Sequence, residues 1–136
     1  MSNLIHIFDQ DLKRADRELR RSRKRLFNGR CAYCRKHHNH LTLDHFVPLY
    51  LNGRHSIENL LPACPDCNLA KDCQRPDMFF FAQPFFDIYQ WQKILQHVGQ
   101  EELNFLLEPD ANPLGKVESL LGKPTEFFAG FCLRCH

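Results

Sequence analysis

No stretch of this 136-residue chain approaches the roughly 20 consecutive apolar residues that a membrane-spanning helix needs, so no membrane partner is expected. The amino terminus has little of an export signal. Leu4-Ile5-His6-Ile7-Phe8 stops at Asp9 and gives way to dense charge instead of following a cationic start. No internal repeat and no low-complexity tract is present. Positive charge is scarce in the back of the chain, where residues 77–136 hold 4 Lys/Arg against 8 Asp/Glu, whereas residues 1–76 hold 14 against 8. The net charge of +2 therefore hides a front half suited to a polyanion and a back half put to another use. An even cysteine count is also missing. Seven cysteines, spaced as metal knuckles, do not make a disulfide framework, and a reducing cytoplasm is the expected setting.

Four of those cysteines form two Cys-x-x-Cys pairs, Cys31-Ala-Tyr-Cys34 and Cys64-Pro-Asp-Cys67. Two such knuckles supply the closed four-thiolate shell that structural zinc prefers, and they leave no open position for chemistry. Any reaction must use other groups. Asp44, His45, Asn59 and Asn68 lie between the knuckles or just after them.

The pattern predicts one α+β domain in three segments, residues 1–29, 30–76 and 77–136. Residues 9 to about 27 read as a helix with Leu12, Ala15, Leu19 and Leu26 on one stripe, ended by Asn28-Gly29. Nine of the 18 cationic residues fall between Lys13 and Arg30, and Arg20, Arg21, Lys24 and Arg30 are the expected phosphate contacts; the alternative is a solvated charged face. Leu41 to Val47 alternates as a strand, with Leu41, Leu43 and His45 on one face and Thr42, Asp44 and Phe46 on the other, and Pro48 stops it. The second knuckle launches a short helix over 68–72. Residues 87–98 fit an amphipathic helix through Ile88, Trp91, Leu95 and Val98, and a second helix follows near 101–107. The phenylalanines at 79–86 suit a core or an interface, through which the chain could self-associate or meet a protein partner.

Phosphodiester cleavage needs a base to activate water and a cation to stabilise charge on the transition state and leaving oxygen. Histidine suits the base, being largely neutral at pH 7. A hard ion such as Mg2+ takes oxygen ligands, and Asp44 and Asn68 are of that kind. Lys71, three residues beyond Asn68, shares its helical face and is expected to contact phosphate.

The order Cys-x-x-Cys, Leu41-Thr-Leu-Asp-His-Phe-Val-Pro48, Ile57-Glu-Asn-Leu-Leu-Pro-Ala-Cys-Pro-Asp-Cys-Asn68 and then Lys71 resembles the HNH endonucleases over about residues 30–76. The resemblance implies a zinc-stabilised ββα-metal core, flanked here by a basic N-terminal helix and a mainly helical C-terminal extension. It further implies that His45 is the general base and Asn59 orients it. Asp44 and Asn68 would hold a catalytic Mg2+ or Mn2+, and Cys31, Cys34, Cys64 and Cys67 a structural Zn2+. The third motif position is Asn68 rather than histidine, which bears on metal preference. The expected substrate is DNA, with RNA left open and products ending in 5′-phosphate; the rival reading is a zinc-dependent nucleic-acid-binding module without turnover.

Three other groups attract weaker readings. His37, His38 and His40 are expected to be solvent-exposed loop residues. Cys132-Leu-Arg-Cys135-His136 copies a haem-attachment pattern, but the expected lack of an export signal argues against haem. A second zinc site there would need two more ligands, for which Cys73, His97 and His136 are candidates.

Overall fold

A computed structural model describes residues 2–108, with side chains from Gln10 onward. Five helices and one two-stranded sheet follow in the order α1 (Ser2–Leu26), β1 (Thr42–His45), β2 (Leu60–Ala63), α2 (Pro65–Lys71), α3 (Pro76–Phe81), α4 (Ile88–His97) and α5 (Gln100–Leu107) among the described residues. This mixture of helices, a small sheet and a cysteine cluster is an α+β arrangement consistent with the fold that the resemblance implies. The Cys132-Cys135-His136 group lies outside the described residues.

α1 begins earlier than its periodicity suggests and ends where Asn28 and Gly29 take left-handed angles, φ 55° and 68°. Gly29 N–H caps it by donating to Lys24 O at 3.0 Å. Its apolar stripe is not packed: Leu12, Leu19 and Leu26 are all exposed. What holds α1 to the domain is its end. Phe27 is buried, and the buried Arg23 donates to Leu60 O at 2.8 Å and His97 O at 2.7 Å, so a guanidinium rather than a leucine row makes the join.

β1 and β2 pair antiparallel, with Thr42 opposite Ala63, Asp44 opposite Leu61 and His45 opposite Leu60. Alternation along β1 is as read, but the buried face is the one carrying Asp44 and Phe46, leaving Leu43 and His45 half-exposed. Two short 3-10 turns, Leu49–Leu51 and Ile57–Asn59, carry the chain from β1 to β2. Gly53 is required between them. A Cβ there would sit 1.9 Å from Val47 O, far inside van der Waals contact with the backbone it passes.

The core runs across the segment boundaries. Phe79, Phe80, Trp91 and Ile94 are buried with Tyr33, Phe46 and Leu61, and the Phe80 ring meets Trp91 at 5.9 Å and Tyr33 at 5.7 Å. The aromatic run thus closes over the sheet and first knuckle. α3, which the sequence reading left as an aromatic cluster, places Phe79 and Phe80 inward, and Ile94 rather than Ile88 takes the buried position on α4.

Candidate active site

The first knuckle is a tight reversal: Cys31 N–H donates to Lys36 O and Arg35 N–H to Cys31 O, both at 3.0 Å. Ala32 N–H then donates to Pro62 O at 2.8 Å, which ties the knuckle to β2. The second knuckle is a helix start. Cys64 caps α2, its Sγ accepting from Cys67 N–H at 3.4 Å, and Pro65 occupies the first turn, where a missing N–H costs nothing.

These supports bring the four Sγ atoms within 4.8 Å of one another. A tetrahedron with metal–sulfur bonds of about 2.3 Å has edges of about 3.8 Å. Cys34 Sγ and Cys64 Sγ stand 3.8 Å apart. The thiols already compete for charge: a hydrogen bond from Cys67 brings Cys31 down to about 5, while burial pushes Cys34 up to about 11 and the hydrogen bond to Cys31 pushes Cys67 higher still. A divalent cation would relieve that competition, and the cluster suits structural zinc.

Beside the cluster, β1 and α2 wall a cleft of about 290 Å³ lined by Leu43, Asp44, His45, Pro48, Leu49, Asn68 and Asp72. Three of the residues singled out from sequence, Asp44, His45 and Asn68, therefore share one cavity. Asp72, which joins them, was not singled out. It follows Lys71 at the end of α2, with φ 52° and ψ −125°, a conformation rare for a residue with a side chain.

Asp44 is buried and heavily engaged. Tyr33 O–H donates to its Oδ2 at 2.8 Å, and Lys71 Nζ lies 3.0 Å from the same oxygen and 3.3 Å from Oδ1. Burial, with the Asp44 charge beside it, raises the Tyr33 phenol well above its usual range, so it stays a donor. Lys71 corrects the sequence reading. Its side chain is 0% exposed and also donates to His45 O at 2.8 Å, so it faces the protein interior and offers no surface cation to phosphate. Burial lowers its pKa and Asp44 works against that.

His45 is half-buried on the cleft wall, its Nε2 2.9 Å from Nδ1 of His55. Burial first, then the neighbouring His55, lowers the His45 pKa below the ordinary histidine value, which keeps the ring neutral. His55 was missed from sequence; its spacing ten residues after His45 matches no single element, and only the turn between the strands folds it back.

Asn59, fully buried, makes no side-chain hydrogen bond to His45. Its Oδ1 accepts from Val47 N–H at 2.8 Å, while its Nδ2 donates to Val47 O at 2.9 Å and Arg54 O at 2.7 Å. It therefore staples the loop after His45 to the residue before His55. Arg54 is fixed from the other side by the buried Glu102, at 3.1 and 2.9 Å, which joins α5 to the same loop. Asn68 Nδ2 donates to Thr42 Oγ1 at 3.0 Å, which turns its amide toward β1.

The remaining residues predicted from sequence are scattered. Arg21 and Arg30 are exposed, Lys24 is half-buried and Arg20 pairs with Asp16 at 2.8 Å. His37 and His40 are exposed and His38 half-exposed. His97 lies edge-on to Phe27 at 5.5 Å, and Cys73 is buried after α2.

Residues 31–74 match the family model described as HNH endonuclease. This segment is an HNH domain. Both knuckles, both strands, α2 and the cleft fall inside the match, whereas α1 and the helices after Gln74 lie outside it. Nuclease-type activity on nucleic acid is the character of the HNH family. A search of curated proteins finds no match to the chain.

Proposed function

We propose that this protein is a metal-dependent endonuclease that hydrolyses DNA phosphodiester bonds, leaving 5′-phosphate ends, in a reducing cytoplasm. The observation that carries the reading is the cleft in which a neutral histidine, His45, shares walls with the oxygen donors Asp44, Asn68 and Asp72. A carboxylate, an amide and a second carboxylate are hard donors suited to Mg2+ or Mn2+ rather than to a soft metal. Held by Asp44 and Asn68, such an ion would supply positive charge at the scissile phosphate and at the leaving 3′ oxygen.

His45 acts as the base that takes a proton from the attacking water. Its Nε2 faces His55, so the proton is accepted at Nδ1. That requires the tautomer in which Nε2–H donates to His55 Nδ1, and His55 then serves as the acceptor that keeps the ring's own proton away from the water. Asn59 acts through the backbone. By clamping Val47 and Arg54 it fixes the segments carrying both histidines. Lys71 supports Asp44 and the β1 backbone from inside. On the surface, Arg20, Arg21, Lys24 and Arg30 give the sequence-independent phosphate contacts.

A second reading has one observation in its favour: the Asp44 carboxylate already receives Tyr33 and Lys71, as a structural counter-ion would. On that reading the domain binds nucleic acid without turnover. Incubating the protein with supercoiled plasmid and Mg2+ or Mn2+ separates the two, because only the first converts the plasmid to nicked or linear DNA.

A further inference from the structure

A charged pair joins α5, which lies outside the family match, to the loop that carries His55. Glu102 is 2% exposed, and one side chain takes both of its carboxylate oxygens: Arg54 Nε lies 3.1 Å from Oε1 and Nη2 2.9 Å from Oε2. Such a two-point fork fixes direction as well as charge. Two exposed carboxylates, Glu101 at 3.0 Å and Glu58 at 3.3 Å, complete the set around Arg54. Gly99, at the start of α5, makes room for the fork. A Cβ there would stand 2.5 Å from Glu102 Oε2 and 2.8 Å from Arg54 Nη2, so one of the two would have to shift.

A buried ion pair is weak evidence for stability, because apolar residues of similar volume often hold a fold as well. Its worth here lies in what it holds. Arg54 O accepts from the buried Asn59 Nδ2 at 2.7 Å, so this residue is clamped by its backbone on one side and by its guanidinium on the other. The next residue is His55. Its ring is exposed and meets His45 Nε2 across 2.9 Å, and a ring without packing around it takes its place from the backbone that carries it. We propose that Glu102 is a positioning residue for the His45–His55 pair, acting through Arg54. A carboxylate from a helix beyond the HNH segment thus sets the contact between two histidines within it. The effect on turnover rests on His45 being the base, as argued above; the placement of the rings does not.

Glu102→Ala and Glu102→Gln in the full zinc-loaded chain test it, read by plasmid cleavage in Mg2+ and by the 15N signals of the imidazole rings. In Glu102→Ala, kcat should fall about 10-fold or more with KM for DNA unchanged. The ring signals should show His45 leaving the single tautomer in which Nε2–H donates to His55. Glu102→Gln keeps one acceptor oxygen for Arg54 and should recover part of both. Gly99→Ala crowds the fork but leaves every charge in place; it should give a milder form of the same change, and it serves if Glu102→Ala does not fold. In a His55→Ala background Glu102→Ala should cost no further activity, since both act along one path. A loss that adds in full to that of His55→Ala, or ring signals unchanged in folded Glu102→Ala, would overturn the proposal. The ring signals need no turnover, so a wild type that cuts nothing counts against the nuclease reading and leaves this measurement to decide.

Discussion

Lys71 Nζ sits 3.0 Å from Asp44 Oδ2 with both side chains buried, so the carboxylate on the cleft wall is also the counter-ion of a lysine in the core. The two partners are joined across β1 and α2, the elements that the cleft separates on its open side. Removing either charge strands the other in a medium of low polarity.

Lys71→Ala or Lys71→Met should therefore destabilise the protein by about 3–5 kcal/mol, the cost of leaving a buried charge unpaired. A surface phosphate contact would instead cost binding and leave stability alone. Thermal melts of zinc-loaded wild type and variant decide between them. For the same reason Asp44→Ala conflates folding with metal binding, and Asp44→Asn with a magnesium titration is the cleaner probe.

The His45–His55 contact has a signature in pH. A base works in its neutral form, and a lowered pKa keeps that form present in more acid solution, so the acid limb of kcat/KM should fall below about 6.5. His55→Ala removes the neighbouring imidazole and part of the burial, both of which hold His45 down. The limb should move up toward the ordinary value and turnover should drop, while His55→Asn, which restores an acceptor oxygen, recovers part of the rate. An unmoved limb in His55→Ala would remove His55 from the mechanism.

Zinc should be a component of folding. Chelation, Cys31→Ser or Cys64→Ser should give unfolded or insoluble protein, because the energy of binding a structural ion is also folding energy. Binding must displace protons from Cys34 and Cys67, whose pKa values are raised, so zinc retention should strengthen as pH rises. Metal analysis giving one zinc per chain accounts for the cluster, and two would point to Cys132 and Cys135 as well. Folded, active protein with none would refute the assignment.

On α1, neutralising Arg20, Arg21 and Lys24 should weaken nucleic-acid binding alike across sequences and flatten its salt dependence. The slope of log K against log salt should fall by about 2–3 if all three contact phosphate. An unchanged slope returns this face of α1 to solvent.

The zinc cluster, the first strand and the short helix after the second knuckle were legible in sequence because they rest on local patterns, the Cys-x-x-Cys spacings and the alternation around Leu43, whereas the second strand, Leu60–Ala63, came only with the family resemblance. Asp44, His45 and Asn68 were legible for the same reason, and they meet in one cleft. What escaped depends on how turns fold back. His55 reaches His45 only because Asn52 takes a left-handed angle and Gly53 lets the backbone cross Val47. Helical spacing put Lys71 on the face of Asn68, but it could not say that Asp44 points inward and draws the ammonium into the core. The leucine stripe of α1 was read as a stripe, but whether it is packed was not legible, since periodicity marks an apolar face without naming what covers it.

The central claim, that His45 is the base of a metal-dependent nuclease, is tested most directly by incubating zinc-loaded wild type and His45→Ala with supercoiled plasmid and Mg2+ or Mn2+, alongside a binding assay. The variant should stay folded and bind DNA, and its cleavage should fall by a factor on the order of 100 or more. Equal nicking by both proteins, or binding without cleavage by either, would contradict the account.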